Sequence, residues 1–203
     1  MITSASPADP RTTIKVGILY PHVSHILRAY DRPGALVIEI GCGANRYGDV
    51  VRARHIGLDL PAQPYAGVPD VYGDGRRLPF VASCADLVFM VGVLYNIPEA
   101  DAVLAECRRV LRQGGTLLVF DYNRTTTLRL KRARRAAQVW SPRALRLRVA
   151  ASGFRAASIW DYPFESEGIW KRALLRVRAI RYLRHATPFN EGWNIVAGTK
   201  IGS

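Results

Sequence analysis

Four short stretches of the 203-residue chain place carboxylates and glycines where chemistry could be done. The first is Glu39-Ile40-Gly41-Cys42-Gly43-Ala44-Asn45. Gly41 and Gly43 would let the backbone turn tightly and approach a ligand, while a following helix would offer it free N–H groups. Glu39, just ahead of the first glycine, could take up a ligand's ammonium group. A dinucleotide site carries a similar glycine pair, but its third glycine is missing here, because that position is Arg46. The second stretch is Ile56-Gly57-Leu58-Asp59, whose acid lies eighteen residues beyond Gly41. That is close to the roughly 20-residue spacing at which an acid binds ribose hydroxyls. The third is Gly73-Asp74-Gly75 ahead of Leu78-Pro79-Phe80, where Asp74 could accept a hydrogen bond from an exocyclic amine. The fourth, Glu106 to Gly115, leads through a double glycine into an apolar run.

These residues act together only if strands and helices bring them to one edge. Ile14 to Tyr30 has apolar residues at helical spacing, broken by Pro21, and reads as a helix or helix pair. Ala35 to Ile40, His55 to Leu60, Leu87 to Val91 and Thr116 to Asp121 read as buried parallel strands. Asn45 to Arg54 reads as a short helix, and Pro61 to Arg77 as mostly loop. Glu99 to Arg112 is a helix stopped by Gln113-Gly114-Gly115, and Ser141-Pro142 caps another that ends near Ser152-Gly153. Phe154 to Trp160 and Asn194 to Lys200 are the last strands, enclosing a basic, helical insert over Glu165 to His185. The pattern predicts an α/β, Rossmann-like doubly wound sheet, mostly parallel, with a late antiparallel strand pair. Ligands of such sheets sit beyond the carboxyl ends of the strands, where all four stretches point.

In order and spacing, the stretches from Ala35 to Asn123 resemble the class I S-adenosylmethionine-dependent methyltransferases. The matching segments are Glu39-Ile-Gly-Cys-Gly43, Gly57-Leu-Asp59, Gly73-Asp-Gly-Arg-Arg-Leu-Pro-Phe80, Ala85-Asp-Leu-Val88 and Arg109-Val-Leu-Arg-Gln-Gly-Gly115. The resemblance implies that S-adenosyl-L-methionine is the cofactor. Glu39 would contact its methionine part, and Gly41, Cys42 and Gly43 would pass close beneath it. Asp59, with Leu60, would hold the ribose, and Asp74, with Gly75, the adenine. Met90 and Val91 would line the cofactor wall. A Rossmann-like domain that binds the cofactor without turnover, as a regulatory protein, is the non-enzyme alternative.

Methyl transfer from a sulfonium is an in-line displacement, so the acceptor needs position and a free lone pair. Candidate catalytic groups are Asp121, His25, Asn96 and Tyr95. Asp121 ends its strand and should face the crevice, either as a base or as an acid neutralised by a nearby Arg. His22 and His25 would share one face of a helix that could lid the site. Many relatives carry histidine where this chain has Asn96, in Val93-Leu94-Tyr95-Asn96-Ile97-Pro98, and asparagine cannot usefully accept a proton near neutral pH. His55, at the start of a strand, reads as structural. His185, Glu165, Glu167, Trp160, Trp170 and Trp193 could reach or stack on a substrate. No metal is expected, since only Asp121 is a plausible ligand for a magnesium-assisted mechanism.

The chain lacks the Asn/Asp-Pro-Pro-Tyr segment of methyltransferases acting on exocyclic amines, and the Pro-Cys pair of those acting on a pyrimidine carbon. An oxygen acceptor is therefore favoured. The segments Asn45-Arg46-Tyr47 and Pro69 to Asp74 resemble a branch of small methyltransferases associated with glycan assembly, which makes a sugar hydroxyl the leading acceptor. Another small metabolite, polyketide or phenolic, comes next and RNA last.

Net charge is +13, with nine Lys and Arg residues from Arg124 to Arg148, six more from Lys171 to Arg184, and no acid in either stretch. Such a field attracts phosphates, anionic lipid headgroups or an acidic partner, or simply keeps a face solvated. Leu174, Val177, Ile180 and Leu183 form an apolar stripe beside those cations, suiting peripheral membrane contact with a lipid-linked acceptor. The basic stretches lack the glycine-aromatic pattern of RNA-reading sheets, so a nucleic-acid partner is disfavoured. Cys42, Cys84 and Cys107 are widely spaced and read as buried thiols. With 49% apolar and 22% charged residues, the expectation is one domain over residues 13–203, a tail over 1–12, an insert over about 163–190, and a cytoplasmic protein.

Overall fold

Runs of branched apolar residues form the strands of one seven-stranded sheet in this computed structural model, which describes residues 23–45, 47–61, 68–122, 138–159 and 193–202. The strands are β1 (Leu36–Ile40), β2 (Arg54–Asp59), β3 (Val71–Tyr72), β4 (Ala85–Val91), β5 (Leu111–Tyr122), β6 (Phe154–Ser158) and β7 (Trp193–Lys200). Their order across the sheet is β3-β2-β1-β4-β5-β7-β6. β1 to β5 pair in parallel, and β7 runs antiparallel to both β5 and β6. This is the predicted Rossmann-like architecture, with strand order reversing beside β1. The crevice therefore opens over the carboxyl ends of β1, β2 and β4.

Alternation along the strands gives each face its own core. Ile38, Ile40, Val88, Met90, Leu117, Val119 and Val196 face helices α2 (Ala100–Val110) and α3 (Pro142–Ala151), which contribute Val103, Leu104, Cys107, Leu145 and Val149. Val37, Leu87, Phe89, Leu118, Phe120 and Ile195 face helix α1, residues 23–30, through its Val23, Ile26 and Leu27. Each large aliphatic side chain fully withdrawn from water stabilises the fold by about 1.5–3 kcal/mol before entropy is counted. Asp31 fastens the end of α1 to the approach to β2, its carboxylate accepting the N–H groups of Arg52 at 2.6 Å and Ala53 at 3.0 Å.

Several local expectations are corrected. The segment after β1 is a chain of turns, not a helix, because Gly43 and Asn45 both take positive φ (55° each), which a helix does not allow. Within the stretch expected to be loop, Val71–Tyr72 pair with Leu58 and Asp59 as the short edge strand β3. Helix α2 stops at Val110, where Leu111 turns extended and pairs with Ala85. The double glycine thus sits inside β5, and Gly114 (φ 73°) accompanies the register shift against β4. At α3 the expected cap is present, Ser141 Oγ accepting the Ala144 N–H at 3.2 Å ahead of Pro142. The insert over about 163–190 and most of both basic stretches lie outside the described residues. Among the described residues no helix is long and apolar enough to cross a membrane.

Candidate active site

Sequence alternation brings Glu39 and Gly57 opposite each other in β1 and β2, with His55 two residues back on the same face. Glu39 and His55 meet there, His55 Nε2 lying 3.1 Å from Glu39 Oε2, with side-chain exposures of 6% and 2% for histidine and acid. Beyond Glu39 the chain turns on Gly41 (φ 72°), whose Cβ would lie only 2.5 Å from a methyl of Val93. The N–H groups of Gly41 and Cys42 both reach the Leu58 carbonyl, at 2.8 and 3.2 Å. The turn is thereby pinned to the end of β2.

Asp59 closes that turn. Its Oδ2 accepts the Gly43 N–H at 2.7 Å and its Oδ1 the Leu60 N–H at 2.7 Å, leaving further lone pairs on an almost buried carboxylate. Asp70 accepts the Gly57 N–H at 2.7 Å and the Asn45 amide at 3.4 Å. A Cβ on Gly57 would collide with Asn45 and Cys42, at 2.8 and 2.9 Å, so glycine is what lets the turn fold over β2. Burial pushes the Cys42 thiol up to about 12, and the charges of Glu39, Asp59 and Asp70 push the same way. In a chain of net charge +13, the switch point is a locally anionic nest.

A second wall rises from the segment after β3. Gly73 donates to the Asp59 carbonyl at 2.9 Å, and Gly75 lies so close to the core that a Cβ would sit 3.0 Å from Ile40. Asp74 is gripped by Arg76, which also bonds Glu99 at 3.0 Å, and this holds the Asp74 carboxyl below the usual range. The segment is anchored by α2: Glu106 accepts the Leu78 N–H at 2.7 Å, while Arg109 donates to the Leu78 and Phe80 carbonyls at 2.9 and 2.8 Å. The Arg109 motif is thus a clamp on the wall.

The third wall lies where β4 and β5 end and β7 begins. Gly92 (φ 66°) donates to the Phe120 carbonyl at 2.7 Å, and the chain turns into a 3-10 turn, Leu94–Asn96. The Tyr95 and Tyr122 rings meet edge to face at 4.8 Å, and Tyr122 lies 4.2 Å from the Trp193 ring. Gly92 faces the same rings, its Cβ position lying 3.5 Å from Trp193. Asp121 is fully buried and in register with Asn194 across β5 and β7. Its Oδ1 accepts the Tyr122 N–H at 2.8 Å, and its Oδ2 has no hydrogen bond among the described residues. Burial pushes this carboxyl up to about 7, against the smaller pull of the Tyr122 and Tyr95 N–H groups.

The structure gathers Glu39, Gly41, Cys42, Gly43 and Asp59 at one point, and Tyr95 with Asp121 at another. Leu60 is exposed and Val91 half-buried, whereas Met90 is fully buried in the core beneath the crevice. Asn96 is exposed on its turn, and His25 is exposed on the outward side of α1. His22, Asn123, Trp160, Trp170, His185, Glu165 and Glu167 lie outside the described residues. An Arg neutralising Asp121, one of the two readings of that acid, is not found among the described ion pairs. Among the described residues no cluster of three His, Cys, Asp or Glu is placed to hold a metal ion. Sequence reasoning read His55 as structural and did not place it, Asp70, Gly92 or Asn194 beside the residues above. Only His55 left a signal, its two-residue spacing from Gly57 on the strand beside Glu39.

Comparison with known proteins bears on the domain and its fold. Residues 38–119 match the family model described as a methyltransferase domain. The ubiquinone/menaquinone biosynthesis C-methyltransferase UbiE of Bordetella parapertussis is 32% identical over 117 residues, 48% of this chain and 44% of the relative. That of Burkholderia vietnamiensis is 29% identical over 119 residues, covering 49% of this chain and 48% of the relative. The chain spans about half the length of these curated relatives. A putative methyltransferase of Haloferax volcanii, solved with its activator, superposes with a TM-score of 0.66 at 19% identity, covering 96% of this chain and 95% of that one. Phosphoethanolamine N-methyltransferase 2 of Haemonchus contortus, in complex with S-adenosyl-L-methionine, gives 0.63 at 16% identity, covering 90% and 53%. At these identities the solved structures speak for the fold.

Proposed function

We propose that this chain, which carries a class I S-adenosylmethionine-dependent methyltransferase domain, binds S-adenosylmethionine in the anionic nest and methylates a small-molecule acceptor at the β4–β5–β7 end. The observation that carries the donor assignment is the gathering of carboxylates at the glycine turn, with Asp59 on the Gly43 N–H, Asp70 on the Gly57 N–H and Glu39 opposite Gly57 just before the turn. A dinucleotide would bring its pyrophosphate to these carboxylates and be repelled, whereas a ligand bearing a sulfonium and an ammonium is attracted. The residues fit: Gly41 and Gly43 bring backbone close to the ligand, Asp59 keeps lone pairs for ribose hydroxyls, and Asp74 stays ionised beside its wall. Once bound, the cofactor supplies a methyl group on a cationic sulfur, ready for in-line displacement.

The chain's own work is to position the acceptor and to hold its proton. Positioning alone is worth about 7–11 kcal/mol in favourable cases. Asp121, pushed up to about 7, has a proton affinity matched to neutral pH, the property a general base for a hydroxyl needs. Tyr95, Tyr122 and Trp193 offer half-buried rings on which a sugar or planar acceptor can stack. We take a hydroxyl of a sugar or glycan as the acceptor, giving O-methylation. The names of the curated relatives favour a second reading, a ring carbon activated by a neighbouring hydroxyl. Both ask the same of Asp121. The basic stretches, on the first reading, dock the protein on anionic headgroups carrying a lipid-linked acceptor, within the cytoplasm.

Labelled methyl from S-adenosylmethionine, supplied to a host-cell extract with and without nuclease, tests the assignment. Label that survives nuclease and travels with saccharide supports the glycan reading, and label in the solvent-extracted, non-saccharide lipid fraction supports the ring-carbon reading. Label removed by nuclease overturns both, and no transfer of any kind overturns the assignment of methyl transfer.

A further inference from the structure

Asp121 and Asn194 are partners in register across the antiparallel strands β5 and β7. Such partners put their side chains on one face of the sheet, with Cβ atoms about 4.5–5.5 Å apart. Here it is the face covered by α2 and α3, because Val119 and Val196, two residues along each strand, belong to that core. Both side chains are fully withdrawn from water. Their hydrogen bonds do not balance. Asn194 Nδ2 is spent on the carbonyls of Trp140 at 2.9 Å and Tyr122 at 3.4 Å, and this fixes the amide. Its Oδ1 has no hydrogen bond among the described residues. Asp121 Oδ1 takes the Tyr122 N–H at 2.8 Å, while Oδ2 has no hydrogen bond there either. Two buried, unpaired acceptor oxygens on neighbouring side chains call for a hydrogen between them. An ionised Asp121 has none to give and sets its charge against the amide oxygen. A neutral Asp121 carries one and satisfies both atoms.

The surroundings supply no rival charge. From the turn after β4 comes the Tyr95 N–H and from β5 the Tyr122 N–H, each with a small pull towards the ionised form. The Tyr122 ring lies between those of Tyr95 and Trp193. From α3, Arg148 lies over the Trp140 ring at 5.6 Å and is tied to Asp101. Among the described residues no charged side chain acts on Asp121, and burial is what pushes it up. We propose that Asn194 is the positioning residue of Asp121, its Oδ1 accepting a hydrogen bond from a proton carried on Asp121 Oδ2. The catalytic use of that bond rests on the reading of Asp121 as base. As the acceptor oxygen takes the methyl, its O–H bond breaks, the proton comes to Oδ2, and the C–S electron pair stays on sulfur. Asn194 then holds the proton where it has arrived.

Nuclear magnetic resonance of the full chain with carboxyl-labelled aspartate tests this without an acceptor, the Asp121 signal being the one that Asp121→Asn removes. In the wild type Asp121 should titrate near pH 7, and the side-chain amide resonances of Asn194 should move with the same midpoint. A bond to the neutral acid favours that form, so its loss lowers the midpoint. Asn194→Ala should reduce the proton affinity of Asp121 by about tenfold, the size of one lost hydrogen bond. Asn194→Leu, which keeps water out, should lower it too, whereas burial acting alone would raise it. The wild-type titration decides by itself should either variant fail to fold. An Asp121 ionised from about pH 5 upwards, as a bridging water would leave it, overturns the inference. So does an Asn194 amide that ignores the titration, or a midpoint unchanged or raised in either variant. Because no methyl donor or acceptor enters the measurement, its failure leaves the donor site standing, and a failure of methyl transfer leaves the hydrogen bond standing.

Discussion

Asp59 and Asp121 are both buried strand-end acids, yet their surroundings give them opposite characters. Asp59 accepts two backbone N–H groups, which fix its carboxyl oxygens in position for a ligand. Asp59→Ala should weaken S-adenosylmethionine binding at least about tenfold by calorimetry, since a lost hydrogen bond to a charged group is worth about 1.5–3 kcal/mol. Unchanged affinity would remove Asp59 from the site. Asp121 is met by the Tyr122 and Tyr95 N–H groups but is stripped of water, and that burial pushes it up to about 7. In the unfolded chain it ionises in the usual carboxylate range, so between about pH 4 and pH 7 the folded state binds the extra proton. Stability from this group is complete below about pH 4 and is lost by about pH 7, a loss of a few kcal/mol. Asp121→Asn should lack that decline and be the more stable protein at about pH 8, as thermal unfolding across pH would show. A stability difference that does not vary with pH would contradict the buried, protonated acid. If Asp121 is the base, the variant also loses about 10²–10⁴-fold in methyl transfer while keeping its affinity for the donor.

At the scale of elements, the site is a set of turns that glycine makes possible and clamps that hold them. Gly41→Ala places a Cβ 2.5 Å from Val93 at a φ of 72°. The left-handed conformation alone costs about 1–2 kcal/mol, so the variant should lose that or more in denaturant unfolding, together with donor affinity. Arg109→Ala removes the clamp between α2 and the Leu78 and Phe80 carbonyls. It should speed hydrogen exchange across residues 73–80 without altering exchange in β5, and equal protection would show the clamp idle. These elements also show what the sequence could reveal. β1, β2, β4 and α2 were legible because continuous apolar runs and a 3.6-residue stripe are strong local signals. β3 was not, because two residues cannot display a period and Val71–Tyr72 become a strand only by pairing with β2. The turn after β1 was misread as helix because nothing local announces a positive φ at Asn45. In the site, the glycine turn and Asp59 were visible as motifs. The burial of Asp121 was not, since it lies in register with Asn194 of β7, which the chain supplies later.

For the whole molecule, charge is distributed against function's obvious direction. A protein of net charge +13 builds its ligand nest from carboxylates, and its basic stretches lie elsewhere in sequence. If those stretches serve a membrane surface, vesicles rich in phosphatidylglycerol should retain the full chain and release it as salt rises, while neutral phosphatidylcholine vesicles should not. The donor nest makes a separate demand, because its attraction is short-range and partly buried. The most direct test of the central claim is a side-by-side calorimetric titration of the full chain with S-adenosylmethionine and with an oxidised nicotinamide dinucleotide at neutral pH. The account predicts saturable one-to-one binding of S-adenosylmethionine and none of the dinucleotide. Binding of the dinucleotide with no response to S-adenosylmethionine would contradict it.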